Sequence, residues 1–166
     1  MVLWDFNENK NYVYLNNYKV LNFNDAENAA KLLFNIDLMI LRLFARLEQS
    51  KTRDDEINIL LQTPYVLQEM QLVKDQGTIK FEGLNKPKNV YKSRYNPVGP
   101  DGRLRARYRR IFLKIRNENG NLKNINDLKK LIAHELTHTA LNHVRWRDDD
   151  HDEKFKEYYK YILRFI

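Results

Sequence analysis

The sequence predicts a single α+β domain: a small sheet with a long N-terminal helix, a second helix bearing a cluster of polar side chains, and a helix at the C-terminus. Three observations lead there. Apolar residues recur at helical spacing from about residue 24 to 50, they alternate over Ile111 to Arg116 just before a glycine-containing turn, and helical spacing returns twice after it. With 166 residues, 43% of them apolar, the chain is long enough for one core.

Residues 1 to 23 alternate aromatic and polar positions, among them Tyr12, Tyr14, Tyr18 and Val20, which predicts a short strand or an ordered arm. From Asn24 the pattern becomes helical. Asn24 can cap, Asp25 and Glu27 suit the first turn, and Leu32, Leu33, Ile36, Met39, Ile40, Leu43 and Leu47 form a stripe ending near Ser50. A shorter helical segment over Ile57 to Leu61 stops before Pro64. Tyr65 to Val73 fits strand or helix.

Dense Gly and Pro punctuation between Gly77 and Gly102 predicts turns around short extended pieces, in irregular loops over the surface. Arg103, Arg105, Arg107 and Arg109 then alternate with Leu104, Ala106 and Tyr108, as in a strand with one basic face, but the apolar positions change parity at Ile111, Leu113 and Ile115. One regular strand cannot change faces, so either a bulge lies near Arg109 and Arg110 or the strand begins only there. Asn117 to Asn121 makes a turn, Asn124 or Asn126 with Asp127 can open a helix that runs to about His143, and a last amphipathic helix runs from about Asp152 to the end, with Phe155, Tyr158, Tyr159, Ile162 and Phe165 on its apolar side.

The chemistry lies in LIAHELTHTALNH. His134 and His138 stand four apart, about 40° around a helix, so both imidazoles can reach one ion. Glu135 follows the first of them, beside such an ion, where it can take a proton from water as a general base. Leu128, Ile132, Leu136 and Ala140 form the opposite stripe and can be buried while the polar set faces outward. With no cysteine in the chain, a metal has only His, Asp and Glu to bind. Zinc (Zn2+) is the expected cofactor, and a catalytic zinc takes three protein ligands. If the helix continues to His143, that side chain points about 140° away from His138. His151, after a linker long enough to reverse the chain, is the preferred third ligand over a carboxylate such as Asp148, Asp149, Asp150 or Glu153. Those acids serve equally well as partners of the ligating imidazoles or as a solvated cap of the last helix.

These residues resemble the WLM metallopeptidases, relatives of the SprT and Spartan proteases that digest proteins crosslinked to DNA. The matching pieces are GLN at 83 to 85, IFLKIR at 111 to 116, LKKLIAHELTH at 128 to 138 and HDEKF at 151 to 155. The resemblance covers about residues 80 to 166, leaving 1 to 79 as an N-terminal strand and helical part of the same domain. It implies a zincin-like fold, zinc ligation by His134, His138 and His151, catalysis by Glu135, and Phe155 packed one turn below His151. The family usually has a short connection ending in Gly-Pro before its third histidine, whereas 12 residues separate His138 from His151 here, nearer the Spartan-like spacing. The compact length and heavy asparagine usage look like versions encoded by large DNA viruses, which would place the protein in a host nucleus or cytoplasm.

Lys and Arg exceed Asp and Glu by 29 to 22, for a net charge of +7, which favours polyanionic partners. Arg94, Arg103, Arg105, Arg107, Arg109 and Arg110, interleaved with Tyr91, Tyr95 and Tyr108, form the densest basic and aromatic stretch. It is the expected contact for DNA phosphates and bases, with a charged strand edge as the plain alternative. No signal-like leader opens the chain, and no run approaches the roughly 18 apolar residues that span a bilayer, so a soluble intracellular protein with no membrane partner is expected. The expected function is a zinc endopeptidase acting on DNA-associated or crosslinked proteins. The alternative is a non-catalytic zinc-containing module that binds DNA or scaffolds.

Overall fold

The computed structural model describes residues 2–4, 11–50, 54–70, 72–74, 82–88, 106–144 and 151–166. In chain order the elements are β1 (Val2–Trp4), β2 (Tyr12–Leu15), β3 (Tyr18–Leu21), α1 (Ala26–Gln49), α2 (Asp55–Gln62), β4 (Tyr65–Glu69), β5 (Leu72–Lys74), β6 (Gly83–Lys88), β7 (Tyr108–Leu113), a 3-10 turn (Ile125–Leu128), α3 (Lys129–Ala140) and α4 (Glu153–Phe165). The fold is α+β, with a mixed five-stranded sheet in the order β2-β3-β4-β7-β6 and a separate two-stranded ribbon of β1 and β5.

Local chemistry sets each boundary. The β2–β3 hairpin closes on Asn16 and Asn17, both at positive φ (51° and 69°), the backbone that a two-residue turn of matching twist requires and that asparagine tolerates. Helix α1 keeps its predicted register, with Leu33, Ile36, Ile40, Leu43 and Leu47 buried, but its first turn has no side-chain cap. The Asp25 carboxylate turns instead to the Arg116 guanidinium at 2.8 Å. Helix α2 is capped by the Asp54 side chain, which accepts from the Ile57 N–H, and stops at Thr63 before Pro64. The stretch after Pro64 is strand: β4 pairs in parallel with β7, Tyr65 opposite Arg109 and Glu69 opposite Leu113.

The arginine alternation resolves without a bulge. Strand β7 begins at Tyr108, and its inward parity runs Arg109, Ile111, Leu113, with Arg109 only 1% exposed. Arg109 therefore belongs to the buried face of the sheet, not to a basic outer one. Helices α1 and α3 pack on the sheet, and Leu33, Ile36 and Ile40 share one core with Leu67, Ile111, Leu113, Ile132 and Leu136. At the carboxyl end of β4 a charged knot ties four segments together. Arg116 Nε bonds Glu69 Oε1 at 2.6 Å, and Glu69 Oε2 accepts the Leu21 N–H at 2.8 Å. Among the described residues no helix is long and apolar enough to cross a membrane.

Candidate metal centre

Helix α3 buries Ile132, Leu136 and Ala140 as the stripe predicted, and this docking turns His134 and His138 toward α4. His151 stands just before α4, whose first turn is fixed by the Asp152 carboxylate accepting the Phe155 N–H at 2.9 Å. One ligand nitrogen from each of His134, His138 and His151 lies within 4.8 Å of the others. His134 Nε2 and His151 Nε2 are 3.1 Å apart. Beneath them Phe155, buried, sits nearly equidistant from all three rings, with centroid separations of 5.0, 4.9 and 4.6 Å. It is the floor of the cluster, one turn beyond His151, as the resemblance implied.

The electrostatics suit metal ligation. Burial, with the His151 charge adding to it, pulls the His134 imidazole down to about 4, and burial with the neighbouring histidines and Arg109 pulls His138 down to about 2. Both rings are therefore neutral at physiological pH, the form that donates a lone pair. His138 Nδ1 faces His143 Nδ1 at 2.8 Å, which leaves Nε2 for an ion. His143 departs from expectation here. Helix α3 ends at Ala140, and Asn142 takes a positive φ of 56°, so the chain swings back and sets His143 behind His138 instead of across the helix.

Three residues that the spacing argument did not assign complete the site. A Cβ on Gly83 of edge strand β6 would lie 2.9 Å from Glu135 Oε1, 2.9 Å from Leu131 Cδ1 and 3.0 Å from the Phe112 carbonyl oxygen. The bare glycine lets the Glu135 carboxylate lie against the strand. Two residues on, Asn85 donates from Nδ2 to the Glu135 carbonyl and to Thr139 Oγ1, each at 2.7 Å. Asn85 Oδ1 accepts from Arg109 at 3.1 Å. This bond gives the buried guanidinium an internal partner. The sequence signal was the G-x-N spacing, which puts both residues on one face of a strand.

No family model, no curated protein and no solved structure matches this chain.

Of the other expected residues, Arg103, Arg105 and Arg94 lie outside the described residues, as do Asp148, Asp149 and Asp150. Arg107 is exposed and Arg110 half-buried. Glu153 pairs with Lys156 at 3.2 Å and is not a member of the histidine cluster.

Proposed function

We propose that this protein is a zinc-dependent endopeptidase of zincin-like architecture, with His134, His138 and His151 as ligands and Glu135 as general base. The observation that carries the reading is the convergence of three imidazoles, with one ligand nitrogen of each within 4.8 Å of the others, and the buried Glu135 following His134 on α3. The donor set fits zinc. Two nitrogens on one tetrahedral zinc, each about 2.0–2.1 Å from it, stand about 3.4 Å apart, against 3.1 Å between His134 and His151 Nε2.

A bound zinc supplies Lewis acidity, polarising a carbonyl and bringing the pKa of water to about 7. The chain's own residues do the rest. Glu135, held against Gly83 and fixed through its backbone by Asn85, accepts a proton from the attacking water on its carboxylate and delivers it to the leaving amine. His143, behind His138, holds that imidazole with Nε2 forward. Phe155 keeps water from beneath the three rings.

Resemblance to the WLM, SprT and Spartan proteases supports DNA-associated or DNA-crosslinked proteins as substrates. Arg107 and Arg110 are the described members of the basic stretch that can reach a phosphate. The second reading, a non-catalytic zinc module, is disfavoured by Glu135, because a purely structural site has no need of a general base.

The test compares wild type with Glu135→Gln for zinc per chain by elemental analysis and for cleavage of a DNA-bound protein. Equal zinc in both, with cleavage reduced by about 10²-fold or more in the variant, is expected. Equal cleavage would sink the mechanism, and a wild-type chain that takes up no zinc would sink the site.

A further inference from the structure

A groove of about 550 Å³ runs between α1, the end of α2 and the start of β4. Leu38, Phe44, Leu61 and Tyr65 line it, and its one charged lining residue is Asp37. The Phe44 and Tyr65 rings meet edge to face, planes 80° apart with centroids at 6.2 Å, and so make two walls at right angles. At the mouth stand Phe34 and Leu41, 51% and 60% exposed. On α1 these two lie outside the core-facing stripe of Leu33, Ile36, Ile40 and Leu43, so the helix carries a wider apolar arc than the roughly 100° that packing on one sheet uses.

Asp37 gives the contact its chemistry. Its carboxylate accepts hydrogen bonds from the hydroxyls of Tyr18 and Tyr65, both neutral groups. No lysine or arginine among the described residues pairs with it. An anion half-buried among leucines and aromatic rings without a counter-charge is costly, as its raised pKa reflects, and a cation entering the groove would remove that cost. The aromatic walls add attraction for the same cation. A free amine would meet the carboxylate and leave Phe34 and Leu41 uncovered; a peptide would cover both.

We propose that this groove docks an extended segment of a partner protein, with a lysine or arginine side chain reaching Asp37 and its apolar neighbours packing on Phe34 and Leu41. None of the lining residues belongs to the histidine site, so the groove stands whether or not that site hydrolyses peptides. It is a place to hold a basic, apolar segment, not to cut it.

The probe is a blocked, fluorescein-labelled peptide, Ser-Gly-Leu-Lys-Leu-Gly-Ser, and its analogue with Gln for Lys, titrated against the full chain by anisotropy, with amide shifts followed by NMR. The lysine peptide is expected to shift the amides of Asp37, Leu38, Leu41 and Tyr65. Its affinity should fall about tenfold or more with the Gln analogue, with Asp37→Asn and with Leu41→Ser. Leu41→Ser changes an exposed position and keeps the test valid if Asp37→Asn disturbs the two tyrosines. Equal affinity of the two peptides, shifts confined to another surface, or no binding at millimolar peptide would overturn the proposal. Spermidine binding as tightly as the peptide would reassign the groove to small cations. Self-association seen by sedimentation and lost in Asp37→Asn would reassign it to a second copy of this chain.

Discussion

Replacing Gly83 with alanine adds one methyl group at the tightest point of the site. The new Cβ would stand 2.9 Å from Glu135 Oε1, 2.9 Å from Leu131 Cδ1 and 3.0 Å from the Phe112 carbonyl oxygen. Leu131 can change rotamer, but the Phe112 oxygen is backbone of the neighbouring strand and cannot yield without moving β7, which pairs with β6 through Gly83 and Leu113. The Glu135 carboxylate must therefore move by several tenths of an ångström. Overpacking of this kind costs about 1–3 kcal/mol, or roughly 2–12 °C in Tm for a chain of this size. Because none of the three atoms crowded by the new Cβ belongs to His134 or His138, zinc content should stay at the wild-type level while the rate falls by about tenfold or more, as expected if Glu135 is the general base. Thermal unfolding, elemental zinc and steady-state cleavage measured on the same preparation read all three quantities. Wild-type stability together with wild-type rate would refute the argument that the carboxylate is seated against this glycine.

Substituting Arg116 with methionine strands Glu69, which is 1% exposed, without its ion pair, and should cost about 3–5 kcal/mol by denaturant titration; a loss below 1 kcal/mol would mean that the knot contributes little. His143→Ala removes the partner of His138 Nδ1 and should weaken zinc affinity by about 10–100-fold in a competition assay with a chromophoric chelator, while an unchanged affinity would make His143 a bystander. The metal-free protein should lose stability on acidification. With folded-state values near 4 for His134 and 2 for His138, the unfolded chain takes up protons first below about 6.5, so their contribution is complete above that pH and declines as pH falls toward 4. A pH dependence between 7 and 4 that is identical in His138→Gln would contradict this.

Much of the molecule was legible in its sequence where the interactions are local. The apolar register of α1 and the buried stripe of α3 follow from spacing within a few turns, and the structure has them. His134 and His138 were readable for the same reason, four residues apart on one helix. Arg109 was not, because a charged residue in a strand pattern reads as outward. It faces inward, where Asn85, on a strand distant in sequence, offers an oxygen. His143 was misplaced for a nearer cause. Extending the helix to His143 passes over Asn142, a residue type that readily adopts the left-handed backbone ending such a helix. The roles of Gly83 and Asn85 depend on the register of β6 against β7 and on where α3 docks, and no periodicity encodes either.

The way the site is divided along the chain has a consequence for its assembly. All three candidate ligands fall within residues 134–151, two on α3 and one just before α4, which packs on α3, so bringing them together closes only a short loop. The seat of Glu135 is different. It needs β6 paired with β7, and β7 beside β4 in a parallel arrangement in which Tyr65 meets Arg109, a long-range closure that slows folding. During refolding with zinc present, metal capture should therefore run ahead of the return of catalysis, giving two separable time courses: a fast one for a zinc-sensitive dye and a slower one for substrate cleavage. Coincident curves would show that the ligands and the base are assembled in one step.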